Sequence, residues 1–100
     1  MNELKLVANI VEREAMRYTP AGIPIVSAKL FYSAQQTEAG MARVVEFEIA
    51  ALAAGEISDR LNQAELAIPL QFTGFLARKN RNSKSLVFHV TNIETYLTDH

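Results

Sequence analysis

Residues 72–94 read Phe72-Thr73-Gly74-Phe75-Leu76-Ala77-Arg78-Lys79-Asn80-Arg81-Asn82-Ser83-Lys84-Ser85-Leu86-Val87-Phe88-His89-Val90-Thr91-Asn92-Ile93-Glu94. Two arms rich in aromatic and β-branched residues flank a polar connector, the pattern of a β-hairpin with a long, mobile tip. The tip holds four of the chain's ten basic residues, Arg78, Lys79, Arg81 and Lys84, and no acid, although the whole chain carries a net charge of -1. Cations gathered at one point of a near-neutral chain suit an anion-binding finger. The plainer alternative is a charged tip that only solvates the protein.

Composition narrows the function classes. One hundred residues with 49% hydrophobic content make one domain, residues 1–100, of a size that often dimerises. The chain has no cysteine, so neither a disulfide framework nor a thiolate nucleophile is available, in keeping with the cytoplasm. Apolar runs fall short of a membrane helix, and Met1-Asn2-Glu3-Leu4-Lys5 lacks the layout of a signal peptide. A pI of about 6.1 means that any nucleic-acid binding must come from where the charges sit.

Outward from the hairpin, the elements follow from periodicity. Leu4, Leu6, Ala8 and Ile10 alternate with Lys5, Val7, Asn9 and Val11 as a first strand. Arg17 to Pro24 forms a turn, with Pro20 presetting φ and Gly22 free to take a positive one. A second strand runs from Ile25 to Gln35, with Val26, Ala28, Leu30 and Tyr32 on one face and Lys29 and Phe31 on the other. Gln36 to Gly40 is a polar connector. A third strand spans Ala42 to Ile49, with Arg43, Val45, Phe47 and Ile49 against Val44, Glu46 and Glu48. The small residues that follow predict a short helix between Ala50 and Gln63, weakened at Gly55. A fourth strand runs from Leu66 to Ala77, through Pro69, and Gly74 within it marks a bulge or tight bend. The fifth strand runs from Leu86 to Leu97, and Thr98 to His100 are expected to fray.

Three strands, a short helix and two strands form the order of a five-stranded, all-β oligonucleotide/oligosaccharide-binding (OB-fold) barrel, whose ligand crosses the second and third strands between the loops joining strands one to two and four to five. An SH3-type barrel competes, but the helix between strands three and four favours the first topology. In that geometry Arg17, Lys29, Arg43 and the basic finger come to one side of the barrel.

Specific residues then resemble a family. Arg17-Tyr18-Thr19-Pro20-Ala21-Gly22, Arg43-Val44-Val45-Glu46-Phe47 and Thr73-Gly74-Phe75-Leu76-Ala77-Arg78 are similar to segments of bacterial single-stranded DNA-binding proteins. Pro20-Ala21-Gly22-Ile23-Pro24, Glu38-Ala39-Gly40 and Gly74-Phe75 resemble the primosomal replication protein N (PriB) branch of that superfamily. The resemblance implies a dimeric replication-restart factor that binds single-stranded DNA, contacts the PriA helicase and other primosome proteins, and helps load the replicative helicase. It maps the family's basic hairpin onto Lys79, Arg81 and Lys84, its third-strand arginine onto Arg43 and a phenylalanine onto Phe47. The chain departs from the pattern in having no tryptophan. Its third strand offers Met41, Glu46 and Glu48 instead, so weaker binding, more dependent on the finger, is expected.

The implied mechanism is physical. Lysine and arginine neutralise phosphates and release counterions, and an aromatic ring offers a face to an unpaired base. The expected single-stranded DNA contacts are Tyr18, Lys29, Arg43, Phe47, Arg78, Lys79, Arg81 and Lys84. Tyr18 can equally pack its own turn, and the alternation of Phe47 with Val45 and Ile49 favours a core position. Phe31 shares the face of Lys29, for a groove or a dimer surface, while Phe72, Phe75 and Phe88 suit core or subunit interface. His89 has no second histidine or cysteine near it in sequence, so a packed histidine is favoured over a metal ligand. No enzyme activity, cofactor or metal is expected. Two other readings stay open: a protein-interaction barrel, and an RNA-binding barrel of cold-shock type, against which stands the lack of clustered surface aromatics.

Overall fold

The computed structural model describes residues 1–96. Strands β1 (Leu4–Arg13), β2 (Arg17–Tyr18), β3 (Pro24–Glu38) and β4 (Met41–Ala54) precede helix α1 (Ile57–Gln63), and strands β5 (Pro69–Arg78) and β6 (Leu86–Thr95) follow it. The strands pair in the order β1-β5-β6-β4-β3-β2, and an additional β1–β3 pairing closes the sheet into a five-stranded barrel with β2 as a short flap. This is the expected OB-fold, with its helix after the third barrel strand.

Closure requires sharp bending at two irregularities. On β1, Val11 is the extra residue between the pairs Ile10 to Leu30 and Glu12 to Lys29. On β6, Thr91 is extra between Thr73 to Asn92 and Gly74 to Val90, and its hydroxyl donates to the Thr73 carbonyl at 3.2 Å. The bend expected at Gly74 is therefore a bulge across from it. Inside the barrel, Ile10, Leu30, Phe72 and Phe88 are fully buried. Burial of each such side chain is worth about 1.5–3 kcal/mol.

Several element bounds differ from the sequence pattern. The segment from Ala50 to Ala54, expected to begin the helix, continues β4 instead. Ala51 and Ala53 face the core at 2% and 0% exposure, paired with Ala28 and Val26 of β3. Strand pairing overrides the helix preference of alanine here. Strand β5 begins at Pro69 rather than Leu66, and the first residue of a strand is a place where proline is tolerated. Strand β3 continues to Glu38, so the polar connector reduces to Ala39 and Gly40, with φ of 54° and 76°. Two positive φ values in a two-residue loop are those of a type I′ hairpin turn. Strand β6 ends at Thr95, and the rest of the expected fifth strand at Leu97 and the frayed end lie outside the described residues.

Helix α1 plugs one end of the barrel through Leu61 and Ser58, both at 0% exposure. The Ser58 hydroxyl donates to the Gly55 carbonyl at 2.5 Å. Seven residues are too few for a helix that stands alone. Two arginines hold it. Arg13 of β1 donates to the carbonyls of Leu61 at 3.2 Å and Ala64 at 2.5 Å, and Arg60 reaches β6 at Asn92 Oδ1 (3.2 Å) and the Ile93 carbonyl.

Candidate nucleic-acid interface

An open concavity of about 720 Å³ lies between the end of β1, the flap β2, the outer faces of β3 and β4, and the β5–β6 tip. Its cationic lining includes Arg17, Lys29 and Lys79, its acidic lining Glu12 and Glu14, and its floor the apolar Leu52 and Val87 beside the imidazole of His89. The fold thus brings Arg17, Lys29 and, from the finger, Lys79 to one concavity, while Arg78, Arg81 and Lys84 are not part of its lining.

The finger is organised by its own polar residues. The Lys79 amide donates to the Ser85 carbonyl at 2.9 Å, and the Ser83 amide to the Asn80 carbonyl at 3.1 Å. Asn80 Oδ1 accepts from the Asn82 amide at 2.9 Å, and Ser83 Oγ from the Ser85 amide at 3.0 Å. Asparagine and serine satisfy the turn backbone in this way. The cationic side chains are left outside it. Arg78, Lys79, Arg81 and Lys84 are all exposed. Among the described residues, neither these four nor Arg17 is ion-paired with a carboxylate. Arg17 donates to the Ser27 hydroxyl at 3.1 Å, and Tyr18 beside it is 66% exposed.

Lys29 is in a different state. Its Nζ lies 3.7 Å from Glu12 Oε2 and 3.9 Å from Glu48 Oε1. Such half-exposed pairs are worth little for stability, yet two carboxylates at this range cancel much of the field that an incoming phosphate would meet. Glu46 and Glu48 lie on the same face of the ribbon as Lys29: Glu48 is paired across from Phe31, and Glu46 accepts a hydrogen bond from Ser33 at 2.9 Å. Phe31 is half-buried among them.

Arg43 is not brought to this side. The β3–β4 register runs unbroken from Ile25 opposite Ala54 to Glu38 opposite Met41. Odd-numbered residues of β3 consequently share a face with even-numbered residues of β4. Lys29, Phe31, Glu46 and Glu48 point to one face of the ribbon, while Tyr32, Arg43 and Phe47 point to the other. The expectation that Arg43 joins Lys29 and the finger is corrected by this parity. Arg43 pairs with Glu38 at 2.6 Å, where the ribbon extends past its neighbours. Phe47 stacks on Tyr32 with ring centroids 5.0 Å apart, on the core-facing side but 37% exposed beyond the barrel.

Two features were not legible in the sequence. Of the two places expected for Phe75, core or subunit interface, the core is excluded: Phe75 is 39% exposed and stacks on His89 across the β5–β6 pair, with centroids 4.9 Å apart and planes 4° from parallel. Glu12 and Glu14 enter the concavity because the bulge at Val11 turns the end of β1 over the groove. Among the described residues no group of three potential ligands is placed to hold a metal, and no helix is long and apolar enough to cross a membrane.

Residues 2–92 match the model of a family described as another single-strand binding protein family. The chain is 38% identical to the replication restart protein PriB of Nitrosomonas europaea over 89 residues, 89% of this chain and 82% of that one. It is likewise 38% identical to PriB of Bordetella pertussis, over 90% of this chain and 84% of the relative. The structure of PriB from Ralstonia solanacearum superposes with a TM-score of 0.89 at 50% identity, covering 97% of this chain and 99% of that one. A single-stranded DNA-binding protein of Thermus aquaticus shares the fold, with a TM-score of 0.75 at 23% identity over 97% of this chain and 50% of its own. With the model match spanning the barrel and these relatives covered over most of their length, the chain belongs to the single-strand binding protein family, on its PriB branch of replication restart proteins.

Proposed function

We propose that this protein binds single-stranded DNA during replication restart, without catalysing a reaction, along the groove between the β2 flap and the β5–β6 tip. The observation that carries the proposal is a set of exposed cations that, among the described residues, have no carboxylate partner: Arg17 and Lys79 line the open concavity, and Arg78, Arg81 and Lys84 extend the charge along the tip that carries Lys79. Each neutralises a backbone phosphate and releases counterions, which gives affinity without sequence preference. Tyr18, next to Arg17 in β2 and 66% exposed, offers a ring face to an unpaired base. Lys29 contributes only as far as a phosphate displaces Glu12 and Glu48. Arg43 and Phe47 form a second station, met by a strand that passes around the protruding ribbon.

The protein acts in the cytoplasm as a homodimer, which doubles the path available to the strand. It works with the PriA helicase and other primosome proteins to promote loading of the replicative helicase. Fluorescence polarisation with labelled oligo-dT over a salt series tests the binding. Five phosphate contacts predict a slope of log K against log salt of about -3.5, at about -0.7 per contact for single strands. No binding at low salt would instead favour a protein-interaction barrel, a reading supported by the acids Glu46 and Glu48 on the outer face.

A further inference from the structure

We propose that His89 contacts the bound strand directly and makes its binding pH-sensitive, because the protonated imidazole donates to a phosphodiester oxygen in the groove. The inference rests on the groove being the single-stranded DNA surface proposed above.

Three observations carry it. His89 sits mid-strand on β6, yet its side chain is on the outer face and lines the concavity with Lys79 and Arg17. Its ring is held against Phe75, nearly parallel to it, so its orientation is fixed before any ligand arrives. Among the described residues no hydrogen bond engages its ring nitrogens, in contrast to the arginines that clamp the helix. The ring is half-buried, which leaves those nitrogens open to solvent or to a ligand in the groove.

The charged groups around it come from every side of the groove. Glu12, Arg13 and Glu14 approach from β1 and the segment after it, Arg17 from β2, Lys29 from β3 and Lys79 from the tip. Arg13 is occupied by the helix carbonyls, and Lys29 by Glu12 and Glu48. Histidine is the side chain type that changes charge across the near-neutral range, and its charged form donates from both ring nitrogens. A phosphate in the groove favours the charged ring, and the charged ring favours the phosphate by the same factor. Binding therefore tightens as pH falls.

The test is fluorescence polarisation with oligo-dT, whose bases do not titrate in this range, at fixed low salt between about pH 8 and about pH 5.5. The unmodified protein should bind roughly fivefold tighter at the acid end, a modest gain for a half-exposed charged contact. His89→Gln should remove that gain, while His89→Lys should bind tightly at both ends. His100 and the terminal amine are common to all three proteins, so the difference reports on position 89. Binding with the same pH profile in His89→Gln would overturn the inference alone; absence of binding at every pH would overturn the groove proposal and this inference with it. Melting temperatures accompany each titration: a lower melting temperature with the pH profile intact would assign His89 a structural role only.

Discussion

Gly74, whose register partner on β6 is Val90, approaches the backbone of the neighbouring His89 so closely that no side chain fits between them. A Cβ at position 74 would collide with the His89 carbonyl oxygen and lie 2.7 Å from Phe88 Cε1. The obstacle is mainly backbone, so it cannot swing aside, and the bulge at Thr91 is built around this approach. Gly74→Ala should cost about 3 kcal/mol, as overpacking against a rigid neighbour does. Urea denaturation checks this, and a loss below about 1 kcal/mol would mean that the strand pair relaxes freely.

Replacing Lys79, Arg81 and Lys84 together by alanine should abolish most single-strand binding and reduce the salt slope by about 2. These side chains are exposed and lack ion pairs among the described residues, so stability should stay within about 0.5 kcal/mol. The measurement is the same oligo-dT titration, beside a thermal melt. An unchanged dissociation constant would remove the finger from the site.

Neutralising Glu48 acts in the opposite direction. In Glu48→Gln one of the two carboxylates holding Lys29 loses its charge. Oligo-dT affinity should rise about threefold at low salt, and the gain should shrink as salt screens it. A variant that binds no better would place Lys29 outside the path of the strand.

Ala39 holds a left-handed φ of 54° in the type I′ turn, where asparagine fits at lower cost. Ala39→Asn should stabilise the protein by about 0.5–1 kcal/mol without affecting DNA affinity. A shift of the urea midpoint to lower concentration would argue against this turn geometry.

The strand order and the helix position were legible because alternation survives in each barrel strand and the helix interrupts it. The end of β4 was not. Ala50 to Ala54 carries a local preference for helix, and only the close approach of Val26 and Ala28 explains why small residues there belong to a strand. The placement of Arg17 and Lys79 beside one concavity was legible because the two segments that carry them, the strand one–two connection and the hairpin tip, lie at the same side of the barrel. It was misplaced at Arg43 because the face of a residue in a hairpin depends on the parity of its turn. A connector read as five residues leaves that parity open, whereas Ala39 and Gly40 alone fix it. The pairing of Lys29 with Glu12 depends on the bulge at Val11, which has no local signature.

The arginine clamps on α1 bear on how the barrel opens. Since Arg13 ties the helix to β1 and Arg60 ties it to β6, the helix cannot unravel without breaking its hydrogen bonds to two strands of the barrel. Amide hydrogens in this short segment should thus exchange with solvent as slowly as those of the strands it bridges. An isolated peptide of the same length would exchange at once; here the plug and the wall share one opening event.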